Sequence, residues 1–284
     1  RTNYQPGCRI TSTYPTGFER AVKAAKDAEV AVVVLGTNLH LAKEGLDRST
    51  LSLPEVQMEL LKKVYAVNKN TVLVLLNGTP LSETWAFENI PSIIEAWYPG
   101  QLGGIAIADV LFGDYNPGGK LPVTFYKDLN QLPPITDYDI TKGRTYWYFK
   151  GDVVYPFGYG LSYTKFLYSD LDVLAKIKFN NNKDVKVTFK VSNTGDYSGD
   201  EVVQVYIKDV KSRYIQPNQK LRKFKRINIL KGDSTTIEFK LNKDDFSFWN
   251  PKKKRWDIEK GNFEILVGSS SEDIRLSKVI SVSY

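Results

Sequence analysis

The sequence predicts an α/β domain with a mostly parallel sheet, followed by an all-β sandwich. Three observations carry that expectation. In the first half, short apolar β-branched runs, AVVVLG at 31–36 and TVLVLLNG at 71–78, alternate with segments of helical periodicity. In the second half, several runs alternate apolar and polar residues between turn signals. The charge divides in the same place. Residues 1–160 hold 15 Lys and Arg against 16 Asp and Glu, whereas residues 161–284 hold 24 against 16, so the whole +7 excess lies in the second half.

Taken in order, residues 18–28 place Phe18, Val22 and Ala25 on one helical face with charges on the other. The run 31–36 reads as a strand buried on both faces. Ser52 is the expected N-cap of the next helix, Pro54 suits its first turn and Glu55 its positive end. Val56, Leu60, Leu61 and Val64 form its apolar stripe. Residues 71–78 give a second buried strand and 92–97 a third. Gln101-Leu102-Gly103-Gly104 then leads into an Ala- and Ile-rich helix ending at Gly113. Such alternation requires right-handed crossovers between parallel strands. No GxGxxG follows a strand and no GxxxxGK[ST] occurs, which argues against a dinucleotide or NTP site.

Residues 114–163 are different. Pro117-Gly118-Gly119, Leu132-Pro133-Pro134 and Pro156-Phe157-Gly158 break regular structure repeatedly, and Tyr138, Tyr146, Trp147, Tyr148, Phe149, Tyr155 and Tyr159 make the segment aromatic. A flexible linker is Gly/Ser-rich and poor in aromatics, so this is an ordered strap. It either joins domains by packing, the favoured reading, or forms part of a sugar-stacking surface. The expected boundaries are 1–125 for the α/β domain, 126–163 for the strap and 164–284 for the sandwich.

The sandwich strands are expected at 185–191, 202–207, 237–241 and 263–267, with turns at Asn193-Thr194-Gly195-Asp196, Lys231-Gly232-Asp233, Asn250-Pro251 and Lys260-Gly261-Asn262. The run Lys252-Lys253-Lys254-Arg255, between Trp249 and Trp256, reads as a hairpin tip. The basic excess is a Lys-rich solvent face, because no RNA- or DNA-binding motif accompanies it; no nucleic-acid partner is expected. No apolar run approaches the roughly 18–20 residues of a membrane helix, so no membrane partner is expected either. A single cysteine, Cys8, excludes an internal disulfide, and a single histidine, His40, excludes a multi-His metal site. No metal and no cofactor are expected. The chain starts at Arg1 without an apolar leader, which reads as a processed chain or a fragment.

Functional groups in open α/β sheets collect at the carboxyl ends of the strands. The loop leaving the first strand runs from Gly36 to Arg48 and contains Glu44. Gly45 beside it permits an unusual backbone turn. Asp47 and Arg48 can pair with neighbours and hold the loop. By chemistry alone, a surface glutamate is the commoner reading of Glu44.

A resemblance changes that weighting. Glu44-Gly45-Leu46-Asp47-Arg48, then Leu51-Ser52-Leu53-Pro54 and Gln57, resembles the EGxDR…LxLPxxQ pattern of glycoside hydrolase family 3. The similarity continues in order through Asn77-Gly78-Thr79-Pro80, Ala96-Trp97-Tyr98-Pro99-Gly100-Gln101 and Asn116-Pro117-Gly118-Gly119-Lys120-Leu121-Pro122 to Gly143-Arg144-Thr145-Tyr146 and Pro156-Phe157-Gly158-Tyr159-Gly160. In the second half, Val191-Ser192-Asn193-Thr194-Gly195, Gly199-Asp200-Glu201-Val202-Val203-Gln204-Val205-Tyr206 and Leu221-Arg222-Lys223-Phe224-Lys225-Arg226 are similar to that family's fibronectin-III-like domain.

The resemblance implies three domains: a (β/α)8 barrel, an α/β sandwich and a fibronectin-III-like sandwich. It implies retaining, exo-acting hydrolysis of β-linked sugars, in which two carboxyl groups stand about 5–5.5 Å apart. The family's acid/base in many members maps to Glu44. Its nucleophile is a barrel aspartate, and a barrel needs roughly 200 residues or more that this chain lacks. So no nucleophile is expected in this chain, and Asp47 does not substitute. The α/β domain is also short of the family's opening strand. The expected partners are therefore a β-linked oligosaccharide or aryl glycoside, and a barrel domain on another chain or a removed segment. This chain alone is expected to be inactive, and Arg144 and Tyr146 are assigned no substrate contact. Among family members the strap and the Glu-Gly-Leu-Asp-Arg loop most resemble β-xylosidases. The alternatives are a β-glucosidase and a non-catalytic binding or scaffold module. Polysaccharide substrates favour a secreted or periplasmic location over a cytoplasmic one.

Overall fold

The computed structural model describes residues 1–11, 13–179 and 184–283. The chain forms two compact units. The first comprises residues 1–114, 125–131 and 152–154, the second residues 115–124, 132–151 and 155–284.

In the first unit, helix α1 (Phe18–Lys26) is followed by β1 (Ala31–Gly36), α2 (Glu55–Val67), β2 (Thr71–Leu76), α3 (Thr84–Asn89), β3 (Ser92–Glu95) and α4 (Gly103–Phe112). The strands lie in the order β1-β2-β3 and both pairings are parallel, with Val33 beside Leu73 and Val74 beside Ile94. The short strand β4 (Phe125–Tyr126) pairs with β5 (Val153–Tyr155). Helix α3 was not signalled by the sequence; its six residues are too few for a periodic pattern to stand out. Phe18 and Ala25 of α1 and Val56, Leu60, Leu61 and Val64 of α2 pack with Ala31, Val33, Leu35, Leu73 and Leu75 in one core.

Two local expectations fail. The run 31–36 is not buried on both faces: its residues alternate, leaving Val32 45% and Val34 55% exposed. β1 is an edge strand, and the core lies against the face carrying Ala31, Val33 and Leu35. The central strand β2 is the one with Leu73, Val74 and Leu75 all buried. Ser52 does not cap α2. Pro54 occupies the cap position in an extended conformation, and its carbonyl accepts the Gln57 N–H at 2.9 Å, so no side chain is needed there. Helix α4 ends as expected, with Gly113 in the left-handed region at φ 81°.

The second unit is a β-sandwich. Its strands are β6 (Phe166–Val173), β7 (Lys176–Lys178), β8 (Val185–Asn193), β9 (Gly199–Asp209), β10 (Lys220–Ile229), β11 (Ser234–Leu241), β12 (Phe248–Asn250), β13 (Arg255–Asp257), β14 (Gly261–Gly268) and β15 (Ile274–Ser283). One sheet runs β10-β9-β14-β15-β7 and the other β11-β8-β6. Inward residues at every second position, such as Val185, Val187, Phe189 and Val191 of β8 and Val203, Val205 and Ile207 of β9, build a single core. The aromatic segment that lies in this unit packs on it. Tyr146 stacks on Phe157 at 4.3 Å between centroids, meets Tyr206 edge-on, and its hydroxyl accepts the Leu221 N–H at 3.1 Å. Arg144 donates to the carbonyls of Pro133, Pro134 and Asp137 and so ties the segment to itself. Lys120 forms a buried ion pair with Glu201 at 3.3 Å and donates to the Gly160 carbonyl at 2.9 Å.

Candidate active site

The carboxyl ends of β1, β2 and β3 lead into loops of the first unit, and each is fixed by a polar side chain. At the end of β1, Gln57 of α2 stands in for a missing strand neighbour. Its Oε1 accepts the Gly36 N–H at 2.8 Å, while its Nε2 donates to the Gly36 carbonyl at 2.8 Å and the Ile10 carbonyl at 3.1 Å. Gly36 must be glycine: a Cβ there would lie 1.9 Å from the Leu76 carbonyl oxygen. Thr37 continues the strand through its N–H to Leu76 and shares a 3.1 Å hydroxyl contact with Tyr98. Beside these residues lies a cleft of about 360 Å³, lined by Gly36, Thr37, Gln57, Tyr98 and Pro99 among others.

The loop then turns back on itself. Asn38 accepts the N–H groups of His40, Leu41 and Ala42. Lys43 and Leu46 form an isolated antiparallel bridge, with the Leu46 N–H 3.0 Å from the Lys43 carbonyl. Glu44 and Gly45 are the two residues at the tip, and Gly45 sits at φ 74°, which explains its place beside Glu44. Glu44 is exposed, and among the described residues its carboxylate has no hydrogen bond or ion pair. It projects from the loop and is not part of the cleft lining. Asp47 is likewise exposed and without a side-chain partner among the described residues, so the expectation that it holds the loop is not met. Arg48 does that work alone. Its guanidinium donates to Thr79 Oγ1 at 3.2 Å and to the Ser52 carbonyl, joining the loop to the turn after β2.

Two glutamates that the sequence did not single out, Glu83 buried and Glu95 partly buried, fix the neighbouring loops. Glu83 accepts the Leu53 N–H; burial pushes its carboxyl up, and that N–H, Lys62 and Arg48 oppose the rise. Glu95, the last residue of β3, accepts from Asn77 Nδ2 at 3.3 Å and from the Trp97 N–H at 3.1 Å. Burial raises its carboxyl to about 7, against the lowering effect of those two donors. The Trp97 backbone is held at φ 53°, a region a bulky residue seldom adopts, and its ring meets Phe125 edge-on. Asn77 also donates to the Thr79 carbonyl at 3.0 Å. The clue available in sequence was an acidic residue ending an otherwise apolar strand, Ser92-Ile93-Ile94-Glu95, directly before Trp97 and Tyr98. Among the described residues no three His, Cys, Asp or Glu side chains gather as a metal site, and no helix is long and apolar enough to cross a membrane.

Comparisons with known proteins agree with this layout. Residues 5–163 match the model of the glycosyl hydrolase family 3 C-terminal domain, and residues 201–271 match the fibronectin type III-like domain. The thermostable β-glucosidase B of Acetivibrio thermocellus is 40% identical over 278 residues, 94% of this chain and 37% of that protein. A β-xylosidase of Formosa agariphila is 40% identical over 277 residues, 96% of this chain and 38% of that protein. The crystal structure of a β-glucosidase from Kluyveromyces marxianus, in complex with glucose, superposes with a TM-score of 0.87 at 33% identity, covering 94% of this chain and 33% of that one. The chain thus spans between a third and two-fifths of the relatives it matches. With both domain models in their order along the chain, and the braced Glu44 loop at the sheet's carboxyl end, the chain belongs to glycosyl hydrolase family 3.

Proposed function

We propose that this chain supplies the general acid/base, Glu44, to the active site of a retaining exo-β-glycosidase whose nucleophile lies in a barrel domain outside these residues. The observation that carries the reading is the presentation of Glu44. It is a carboxylate without a partner among the described residues, on the tip of a two-residue turn, in a loop that Asn38 folds on itself and Arg48 ties to the turn after β2. A catalytic acid contributed to a neighbouring domain has to project in this way, because a carboxylate already in an ion pair is tied up in its own unit.

The chemistry has two steps. The barrel carboxylate attacks the anomeric carbon, the glycosidic C–O bond breaks, and Glu44 gives its proton to the departing oxygen. Glu44, now a carboxylate, takes a proton from water as that water's oxygen attacks the anomeric carbon and releases the nucleophile.

The sugar we assign is a β-xylosyl unit at a non-reducing end, on the likeness of the Glu44–Arg48 loop and the strap to β-xylosidases. A β-glucosyl unit is the runner-up, since the similarity to a named β-glucosidase is equal at 40%. The test uses the polypeptide that carries both the barrel and this chain. Glu44→Gln is expected to lower kcat/KM by about 100-fold or more on xylobiose, whose leaving group needs a proton. The loss on 2,4-dinitrophenyl β-xyloside, whose leaving group departs unaided, is expected to be far smaller. Equal losses on the two substrates sink the acid role, and a higher kcat/KM on the matched glucoside replaces xylose by glucose.

A further inference from the structure

The hairpin of β12 and β13 carries a surface that the reaction does not use. Trp249 and Trp256 are cross-strand partners, so both rings stand on one face of the hairpin. They are 52% and 65% exposed, and they meet edge-to-face with centroids 6.0 Å apart and an interplanar angle of 76°. Trp249 is left in water between buried Phe248 and Asn250, and Trp256 is exposed opposite it on the partner strand, so the pair is not part of the core.

The turn between them is basic and built. Asn250, 1% exposed, accepts the N–H groups of Lys252 and Lys253 at 3.1 Å each, and donates to Tyr214 Oη at 3.2 Å and Asp257 Oδ2 at 3.1 Å. Lys253 pairs with Asp257 at 2.7 Å. Lys252, Lys254 and Arg255 are exposed and have no ion pair among the described residues. The hairpin therefore presents an aromatic corner with two uncommitted cations, Lys252 and Lys254, at its turn; Arg255, next to Trp256 in β13, belongs to the opposite face.

We propose that this hairpin is a binding site for acidic glycans, with Trp249 and Trp256 holding a pyranose ring and Lys252 and Lys254 of the turn pairing with a uronic-acid carboxylate. A pyranose has apolar C–H faces and a polar rim, which suits the face of one ring flanked by the edge of another. The perpendicular rings cannot both stack on successive bases of a single strand, which need parallel platforms. The cations lie at the tip, ahead of the rings, so tip-first entry into a membrane would bury charge before aromatic surface. Binding here would hold the chain on an acidic polysaccharide independently of Glu44.

The test is affinity electrophoresis of the 284-residue chain in gels containing glucuronoxylan, or the same polymer after reduction of its carboxyl groups. The chain is expected to be retarded by the acidic polymer and about tenfold less by the reduced one, the factor that ~1.4 kcal/mol represents. The double variants Trp249→Ala/Trp256→Ala and Lys252→Gln/Lys254→Gln are each expected to lose about tenfold in affinity. Trp249→Phe/Trp256→Phe is expected to recover most of the aromatic loss, which excludes misfolding as its cause. Wild-type retardation by the Trp→Ala variant overturns the proposal in favour of diffuse electrostatics. Absence of retardation, or tighter binding to phosphatidylserine vesicles or to oligouridylate, overturns it as well.

Discussion

At the scale of single residues, Glu95 is the most informative group in the first unit after Glu44. Its folded carboxyl titrates near 7, whereas an unfolded glutamate titrates near 4.5. The folded state therefore binds more protons than the unfolded one between those values. Stability is full below about 4.5, falls as pH rises through the window to about 7, and stays low above it. The span corresponds to roughly 3 kcal/mol at most. Glu95→Gln keeps a carbonyl oxygen for the Trp97 N–H and removes the titration. Urea unfolding of the 284-residue chain at pH 5 and pH 8 is expected to show a loss of stability in the wild type that is much reduced in Glu95→Gln; an unchanged pH slope in the variant contradicts the assignment. The two glutamates also differ in how they show in the sequence. Glu44 was singled out because Glu44–Arg48 resembles a family pattern; its own chemistry suggests a surface glutamate. Glu95 was not, because its properties come from Asn77 and from burial beneath residues distant in the chain.

At the scale of elements, the sheet end depends on Gln57 doing the work of a strand. Gln57→Leu keeps the bulk but leaves the Gly36 N–H and carbonyl buried and unpaired, a cost of about 2–4 kcal/mol. Chemical denaturation is expected to show that loss, and a change under about 0.5 kcal/mol would deny Gln57 this role. In the sandwich, Lys120→Met strands Glu201 in the interior, for about 3–5 kcal/mol. Lys120→Met/Glu201→Gln is expected to be more stable than the single variant, since no charge is then left buried alone; equal stabilities would show that the pair is not coupled. Strand and helix identities were legible wherever periodicity spans several residues, as in 18–28, 71–76 and 185–191. What the pattern did not disclose is which face is covered. AVVVLG reads as a central strand, yet it lies at the sheet edge with Val32 and Val34 exposed, and only the pairing order separates it from TVLVLL. Ser52 has the composition of a cap, but Pro54 occupies the position, and its carbonyl accepts the Gln57 N–H.

At the scale of the whole molecule, the charge excess and the proposed acid/base belong to different units. The +7 excess is a property of the sandwich sequence, with its basic hairpin, while Glu44 stands in the near-neutral α/β unit. On the proposed mechanism the 284-residue chain by itself leaves aryl β-xylosides and β-glucosides intact, and hydrolysis appears only with the barrel-bearing polypeptide; turnover by the isolated chain would place a nucleophile within it. The central claim is that Glu44 gives a proton to the departing glycosidic oxygen and takes one from the attacking water, and it is tested most directly by chemical rescue. Glu44→Ala, in a polypeptide that includes the barrel, is given 2,4-dinitrophenyl β-xyloside with and without sodium azide. Azide needs no general base, so the account predicts faster turnover and a product of β-xylosyl azide, with the anomeric configuration retained. No acceleration and no glycosyl azide would contradict it, and would return Glu44 to the surface glutamate that its composition alone suggests.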